Sequence, residues 1–585
     1  MRHLSSPIGH ALSYGLLFLL AALLTRSLLA DDSSPRSRPP NIVVIITDDQ
    51  GYGDLGCHGN RELKTPALDA LHRDSVRFTN FHVDPTCAPT RAALMTGRYS
   101  SRTGVWHTIR GRSLMRKDEI TLPQRLAEAG YQTGIFGKWH LGDNYPLRAM
   151  DRGFTESLTH GGGGVGQTPD VWGNDYFDDT YLHNGVPEKQ EGYCTDVFFR
   201  AATTFIERNR DRPFFAYIAT NAPHSPYLVP DDAAKPYRDA GIPSPRAEFC
   251  GMIANIDENV GRLLARLDEW KLRDDTIVVF MTDNGSAAGV DRAGGNNAGM
   301  RGMKGSEYDG GHRVPCFVRY TARCPGGRDI PQLAAHIDIL PTLLGLCGLS
   351  LPDRFPLDGR SLVPLLLYDA SAQNWPERTL IVHSQRIEHP ERWRQSAVMT
   401  ERWRLINGRE LFDRSADPGQ ANNVAEREPG VVAELRRAYD GWWNSISTRF
   451  DEFVSIELGT EAAPRSTLSC HDWHSDQVPF DHSLVKKDPE ANGFWAVEFV
   501  RGGTYRVTLR SRPAGVPHRL PAGTARLRIG SMDFSKPIVA DPDHVEFMVD
   551  CAAGPALLQT WLDDTTGPSR GAFFVDVERV GDQRN

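Results

Sequence analysis

The sequence has little cysteine for its length: nine residues in 585, at 57, 87, 194, 250, 316, 324, 347, 470 and 551. None stand as Cys-x-x-Cys, which excludes a zinc ribbon or a thioredoxin-type pair. Long apolar runs are missing too. The most apolar segment, 11–24, falls short of the roughly 20 residues that span a bilayer. A cationic surplus is also absent. Lys and Arg number 66 against 74 Asp and Glu, a net charge of −8, so no broad positive field exists to hold nucleic acid. An anionic substrate must therefore meet a local cluster of cations or a metal. What is present is ordinary for a soluble chain: 40% apolar and 24% charged residues. The 54 glycines and 39 prolines exceed the usual share and mark many turns. The length allows several domains, or one large α/β domain with appendages.

Arg2 precedes the apolar segment and Ser27-Leu28-Leu29-Ala30 follows it. A basic start, a short apolar core and a small final residue read as a secretory signal over 1–30, cleaved near Ala30. Loss of Arg2 and Arg26 makes the mature chain two charges more negative. The protein is expected to be exported, periplasmic or extracellular, with no stable membrane span and no nucleic-acid partner. Residues 31–40 (DDSSPRSRPP) read as a flexible leader. Exported chains form disulfides. Cys470 and Cys551 are one possible pair, with connectivity left open by the spacing.

From residue 41, short apolar runs alternate with amphipathic stretches. Ile42–Thr47 (IVVIIT) reads as a central parallel strand. Thr65-Pro66 reads as an N-cap and first helical residue, with Leu68, Leu71 and Val76 as the apolar stripe. Thr121 opens another helix, with Leu122, Leu126 and Ala129 inward and Gly130 as its stop. Strands are expected at Gln132–Phe136, Phe214–Thr220 and Ile277–Thr282, and helices around Val197–Phe205 and Met252–Leu267. This rhythm predicts an α/β fold, a mostly parallel central sheet flanked by helices, with a smaller α+β subdomain and a C-terminal all-β module. The expected division is 41–375 for the main domain, 376–450 for the subdomain and 455–585 for a β-sandwich-like accessory module. The last rests on turn-punctuated strands at Phe494–Arg510, Thr524–Ile529, Val545–Val549, Leu557–Leu562 and Ala572–Val580.

In such sheets ligands bind beyond the carboxyl ends of the strands, and polar residues stand there. Asp48-Asp49 follows the first strand. Adjacent carboxylates repel unless a cation lies between them. Asp283-Asn284-Gly285 closes Ile277–Thr282. If the two ends converge, they bring four oxygen-bearing side chains to one hard cation, Ca²⁺ or Mg²⁺. If they do not, they are a solvated turn and an Asx turn. Cys87-Ala88-Pro89-Thr90-Arg91 opens a helix that Gly97 ends. A lone cysteine is usually a small buried hydrophobe, but one at a helix start beside an arginine is a candidate nucleophile at an anion-favouring terminus. Lys138 and His140 end the strand Gln132–Phe136, His224 follows Phe214–Thr220, and Lys304 stands in a Gly-rich loop. With Arg91 they map to one rim of the sheet, as an oxyanion-binding basket.

With these residues assembled, the chain resembles the type I, formylglycine-dependent sulfatases of the alkaline-phosphatase-like superfamily, the arylsulfatases among them. The Cys-x-Pro-Ser/Thr/Ala-Arg signature stands as Cys87-Ala88-Pro89-Thr90-Arg91, with Thr90 in place of the commonest serine. A second signature runs from Gly130-Tyr131 to Gly137-Lys138-Trp139-His140-Leu141-Gly142. Asp48-Asp49, His224, Asp283-Asn284 and Lys304 match in order, within residues 40–450. The resemblance implies that a separate maturation enzyme oxidises Cys87 to Cα-formylglycine (3-oxoalanine), whose hydrate is nucleophile and metal ligand. It implies a Ca²⁺ site made by Asp48, Asp49, Asp283, Asn284 and residue 87. Arg91 and Lys138 would hold the hydrate and sulfate oxygens, and His140 would take the second hydroxyl proton. Lys304 and His224 would bind sulfate and assist the leaving alcohol, and His312, in the loop Glu307–Pro315, would either touch substrate or take a structural role. One hydrate oxygen would attack sulfur and the other would then expel sulfate, while the divalent ion, Arg91 and the lysines offset the charge. The implied activity is hydrolysis of a sulfate ester to an alcohol and inorganic sulfate. An exported member with a β-module would act on a sulfated carbohydrate.

Two rival readings remain open at this level. A phosphatase or phosphodiesterase on the same fold binds two metals about 4 Å apart, and the Cys87–Arg91 signature has no part in that chemistry. A glycan-binding protein would leave Cys87 unmatured. Weaker segments are His160 with Gly161–Gly164 as a piece of pocket floor, Trp172–Tyr176 as a packed loop or sugar platform, and His471-Asp472-Trp473-His474 as a metal or glycan contact.

Overall fold

The computed structural model describes residues 38–287, 295–350, 356–368, 372, 374–539, 542–565 and 567–582. The expected signal, 1–30, and most of the leader lie outside the described residues. Ten strands form the central sheet. In chain order they are β1 (Asn41–Thr47), β2 (Val76–Phe78), β3 (Gln132–Lys138), β4 (Glu156–His160), β5 (Thr180–His183), β6 (Val186–Lys189), β7 (Phe214–Ala219), β8 (Thr276–Thr282), β9 (Cys316–Arg319) and β10 (Arg328–Ile330). Across the sheet the order is β10-β2-β9-β8-β1-β7-β3-β4-β5-β6. The middle strands β8, β1, β7, β3 and β4 are parallel, and the strands beside them run antiparallel.

Every residue of β1 and β8 is buried, which is why each reads as an unbroken apolar run. Strand alternation sorts the side chains onto two faces. Ile42, Val44 and Ile46 join Ile277, Val279 and Met281 in one core, under α2 (Cys87–Thr96) and α3 (Leu122–Glu128). Val43 and Ile45 join Val278 and Phe280 in the other. That face is covered by α1 (Pro66–Asp74), α4 (Cys194–Asn209) and α5 (Arg246–Glu269). Four antiparallel strands between Leu380 and Asp413 make a second sheet. It is covered by α6 (Pro429–Ile446) through Val432, Leu435 and Tyr439.

The C-terminal segment folds into two facing sheets, one built on Phe494–Phe499, Gly554–Asp564 and Gly523–Ile529, the other on Arg465–Ser469, Phe574–Gly581, Gly503–Arg510 and Val545–Cys551. Their shared core takes in Trp495, Tyr505 and Leu527, and also Leu114 and Leu147 from the main domain. Backbone bonds run between the two parts, Arg110 N to His471 O at 3.0 Å and Thr168 N to Phe480 O at 2.9 Å.

Several expectations are corrected. Val76 lies in β2, not on the first helix, which ends at Asp74 because Ser75 turns extended at ψ 161. Ala129 is exposed, because the chain leaves the helix there with ψ 5. Phe494–Arg510 is two strands parted by a turn at 500–502. Met532–Ile538 is a further strand, an edge with mostly exposed residues and Pro537 near its end. All nine cysteines are free thiols, Cys470 and Cys551 included. Among the described residues, no helix is long and apolar enough to cross a membrane.

Candidate active site

The register of β1 and β8 pairs Thr47 with Thr282. The two residues that follow each strand therefore leave the sheet side by side. Asp48, Asp283 and Asn284 are fully buried and Asp49 nearly so. Asp49 takes φ 65, and its backbone N–H donates to Asp283 Oδ1 at 3.1 Å. Asn284 Nδ2 donates to Asp49 Oδ1 at 2.8 Å. Cys87 is the first residue of α2, and its sulfur lies within 4.8 Å of carboxylate oxygens of both Asp48 and Asp283.

Three cations face the three carboxylates. Arg91, one turn along α2, donates to Asp283 Oδ2 at 2.8 Å and to Lys138 O at 3.0 Å. Lys138, the last residue of β3, is fully buried and donates to Asp48 Oδ2 at 2.6 Å. Lys304 Nζ lies 2.7 Å from Asp49 Oδ1 and 2.9 Å from Oδ2. His224 follows β7 and places Nε2 3.7 Å from Asp49 Oδ2, while its Nδ1–H donates to Ser225 O at 2.6 Å. The side chains of His224 and Lys304 are 20% and 14% exposed, against 0–1% for those of Asp48, Lys138 and Arg91. They form the mouth and the others the floor.

Burial pushes all three carboxyl groups up, and their partners decide the outcome. Lys138, His224 and Arg91 hold Asp48 below its ordinary range, and Lys304 with His224 does the same for Asp49. Asp283 stays raised, because Asp48 adds to the burial against Arg91. Burial would lower Lys304, but Asp49 holds it above the ordinary lysine value. His140 is pushed well below its ordinary value by burial and then by Lys138. Its Nε2–H donates to Thr108 O at 2.8 Å, and buried Nδ1 has no partner. Asp48 Oδ1 and Asn284 Oδ1 are likewise buried without a partner.

Residues 40–349 match the Sulfatase family, and residues 303–438 match the family N-sulphoglucosamine sulphohydrolase, C-terminal. The chain belongs to the sulfatase family. It is similar to N-acetylgalactosamine-6-sulfatase of Canis lupus familiaris, 32% identical over 388 residues that cover 62% of this chain and 71% of that one. It is also similar to arylsulfatase A of Homo sapiens, 32% identical over 441 residues, covering 68% and 82%. Among solved structures, Ps i-CgsB in complex with k-i-k-neocarrahexaose aligns with TM-score 0.64 and 27% identity, over 72% of this chain and 95% of that one. This sulfatase is accordingly a sulfuric ester hydrolase.

One expected site residue stands apart from the basin of this sulfatase. His312 is fully buried, with Nδ1 2.9 Å from His82 Nδ1 and Nε2 3.0 Å from Glu307 O. Both ring nitrogens are engaged, which favours the structural role over the substrate contact. Trp172 packs 4.5 Å from His482 of the C-terminal part, the packed-loop reading. Other residues matter more than the sequence indicated. A Cβ on Gly163 would stand 2.2 Å from His140 Cε1, so the glycine run is the wall against that ring. His471 enters from the C-terminal part, its ring 6.1 Å from that of His140 and its Nε2 3.2 Å from Gln167 Oε1. The His-Asp-Trp-His pattern was its only signal.

Proposed function

We propose that this sulfatase is an exported, formylglycine-dependent enzyme that cleaves sulfate esters of carbohydrates with one bound Ca²⁺. The supporting observation is the convergence of Cys87, Asp48 and Asp283 at the start of α2. The donor set fits a hard divalent ion. Asp48 Oδ1 and Asn284 Oδ1 are buried without partners, and Asp283 is raised beside Asp48. A cation relieves both conditions. Asp48, Asp49, Asp283 and Asn284 would hold it together with residue 87, where it supplies Lewis-acid charge. Oxidised by a separate maturation enzyme, residue 87 supplies a hydrate as the nucleophile.

The remaining side chains then have definite tasks. Asp48, Asp49 and Asp283 balance Arg91, Lys138 and Lys304, so a divalent ion leaves a positive surplus for an anionic ester. Arg91, anchored at both ends, and Lys138 hold the sulfate oxygens where charge redistributes. Lys304, kept protonated by Asp49, donates to the leaving oxygen at the mouth, and His224 flanks it. His140 is neutral, donates Nε2–H to Thr108 O and keeps its lone pair on Nδ1, the form of a general base.

A carbohydrate substrate is supported by the relative named for N-acetylgalactosamine 6-sulfate chemistry and the structure bound to a neocarrahexaose. Residues 1–30 would direct export, 41–375 and 376–450 would form the sulfatase unit, and 455–585 an accessory module. Mass spectrometry of the peptide carrying residue 87, from the native host, should find formylglycine; an unmodified Cys87 there refutes the reading. The matured enzyme should turn over an aryl sulfate far faster than an aryl phosphate, lose activity to a Ca²⁺ chelator and regain it with Ca²⁺. A panel of defined sulfated mono- and disaccharides then reads the sugar.

A further inference from the structure

Cys57, His58 and His72 lie outside the basin, and the proposed chemistry makes no use of them. Cys57 and His58 sit in a single 3-10 turn, Gly56–His58, at the end of the loop that begins with Asp48-Asp49. His72 is in the last turn of α1. Folding brings the Cys57 sulfur and one nitrogen from each histidine within 4.8 Å of one another, with all three residues partly exposed.

The surroundings hold the His58 imidazole in a ligating form and fix the backbone that carries the thiol. His58 Nδ1 lies 2.6 Å from Tyr52 O. A carbonyl only accepts, so Nδ1 carries the proton and Nε2 keeps its lone pair, the arrangement that orients a ligating imidazole. The ring stacks on Tyr52 at 4.1 Å and meets His72 edge-on at 5.6 Å. Phe317 lies under both imidazoles, at 5.7 and 5.0 Å. Asp69 Oδ1 accepts from Cys57 N at 2.7 Å and from Thr65 Oγ1 at 3.0 Å, which fixes the backbone carrying the thiol. The nearby Arg77 is engaged by Asp329 at 2.6 Å. Burial, with Asp69 beside it, raises the Cys57 thiol, and burial pushes His58 down to about 4. Both groups are then neutral at pH 7.

We propose that Cys57, His58 and His72 bind one Zn²⁺-class cation, at a site separate from the oxygen-lined basin. One thiolate and two imidazoles suit Zn²⁺ or Co²⁺ and not Ca²⁺. Around Zn²⁺, such ligand atoms stand about 3.4–3.6 Å apart, so binding would draw the three together from their present separation of up to 4.8 Å. On binding, the thiol proton passes to solvent, the Cys57 sulfur–metal bond forms, and water completes the fourth position. The ion would tie the turn after the Asp48-Asp49 loop to α1.

The test uses the full mature chain, stripped by chelator, returned to Ca²⁺ and titrated with Co²⁺. One equivalent should produce a thiolate-to-Co²⁺ charge-transfer absorption. That band should vanish in Cys57→Ser and persist in Cys87→Ala. Zn²⁺ should displace Co²⁺ and raise the melting temperature of the wild type but not of Cys57→Ser. Because Cys57→Ser removes a packed side chain, His72→Gln is the second variant; it keeps the thiol and should weaken Zn²⁺ binding by about tenfold or more. No band in the wild type, a band that survives Cys57→Ser, or unchanged affinity in His72→Gln each overturns the assignment.

Discussion

Lys138 and Asp48 are both inaccessible to solvent and 2.6 Å apart. Removing one partner of such a pair leaves an uncompensated buried charge, and on the proposed function it also removes a cation from the sulfate oxygens. Lys138→Ala is expected to lower kcat/KM on an aryl sulfate by at least about 100-fold, measured by steady-state kinetics beside a melting curve. Cys87 has a different signature. A serine there can form one sulfate ester but has no second geminal hydroxyl to expel it. Cys87→Ser should therefore release one equivalent of alcohol, carry sulfate on Ser and stop; sustained turnover would count against the chemistry.

Loop 107–111 carries the carbonyl that orients His140. His107 Nδ1 accepts from the backbone N–H groups of Thr108 at 2.7 Å and Ile109 at 3.1 Å, which requires a neutral ring. Burial, with Arg386 and Arg110 nearby, lowers His107 to about 2 from an ordinary 6.5. Its contribution is therefore complete above pH 6.5 and falls as pH drops from there towards 2, by up to about 2 kcal/mol at pH 5. His107→Asn offers an acceptor that does not titrate. The melting temperature of the variant should fall less than that of the wild type between pH 7.5 and pH 5. On the facing wall, Gly163→Ala should displace His140 and lower kcat, and the melting temperature should fall with it because the added Cβ meets a buried ring. Much at this scale was legible. β1 and β8 announced themselves as apolar runs because both faces are covered, and their polar ends marked the floor of the basin. The Met532–Ile538 edge strand was not legible, because Lys536 and Pro537 interrupt the alternation of Met532, Phe534 and Ile538. Nor was the approach of His471 to His140, since a contact across more than 300 residues leaves no local pattern, nor that of Gly163, since a glycine run does not tell which ring its bare backbone faces. The role of His312 was not legible, because a buried brace and a substrate contact use the same residue type.

At the scale of the molecule, the two C-terminal sheets share one core with Leu114 and Leu147. A chain ending at residue 454 would expose those side chains and lose the Arg110–His471 and Thr168–Phe480 bonds. It should be insoluble or inactive, as fractionation after expression would show, whereas a loosely tethered module would leave a soluble, active remainder. The seclusion of the basin floor has a consequence for the order of events in the cell. The Cys87 residue is only 3% exposed, out of reach of any other protein's catalytic machinery once folding is complete. On the proposed function, conversion of its thiol would therefore precede collapse of the chain, while the nascent polypeptide is still extended. A refolded, unmodified protein offered to the maturation enzyme should stay inert, and a denatured one should become a substrate for it.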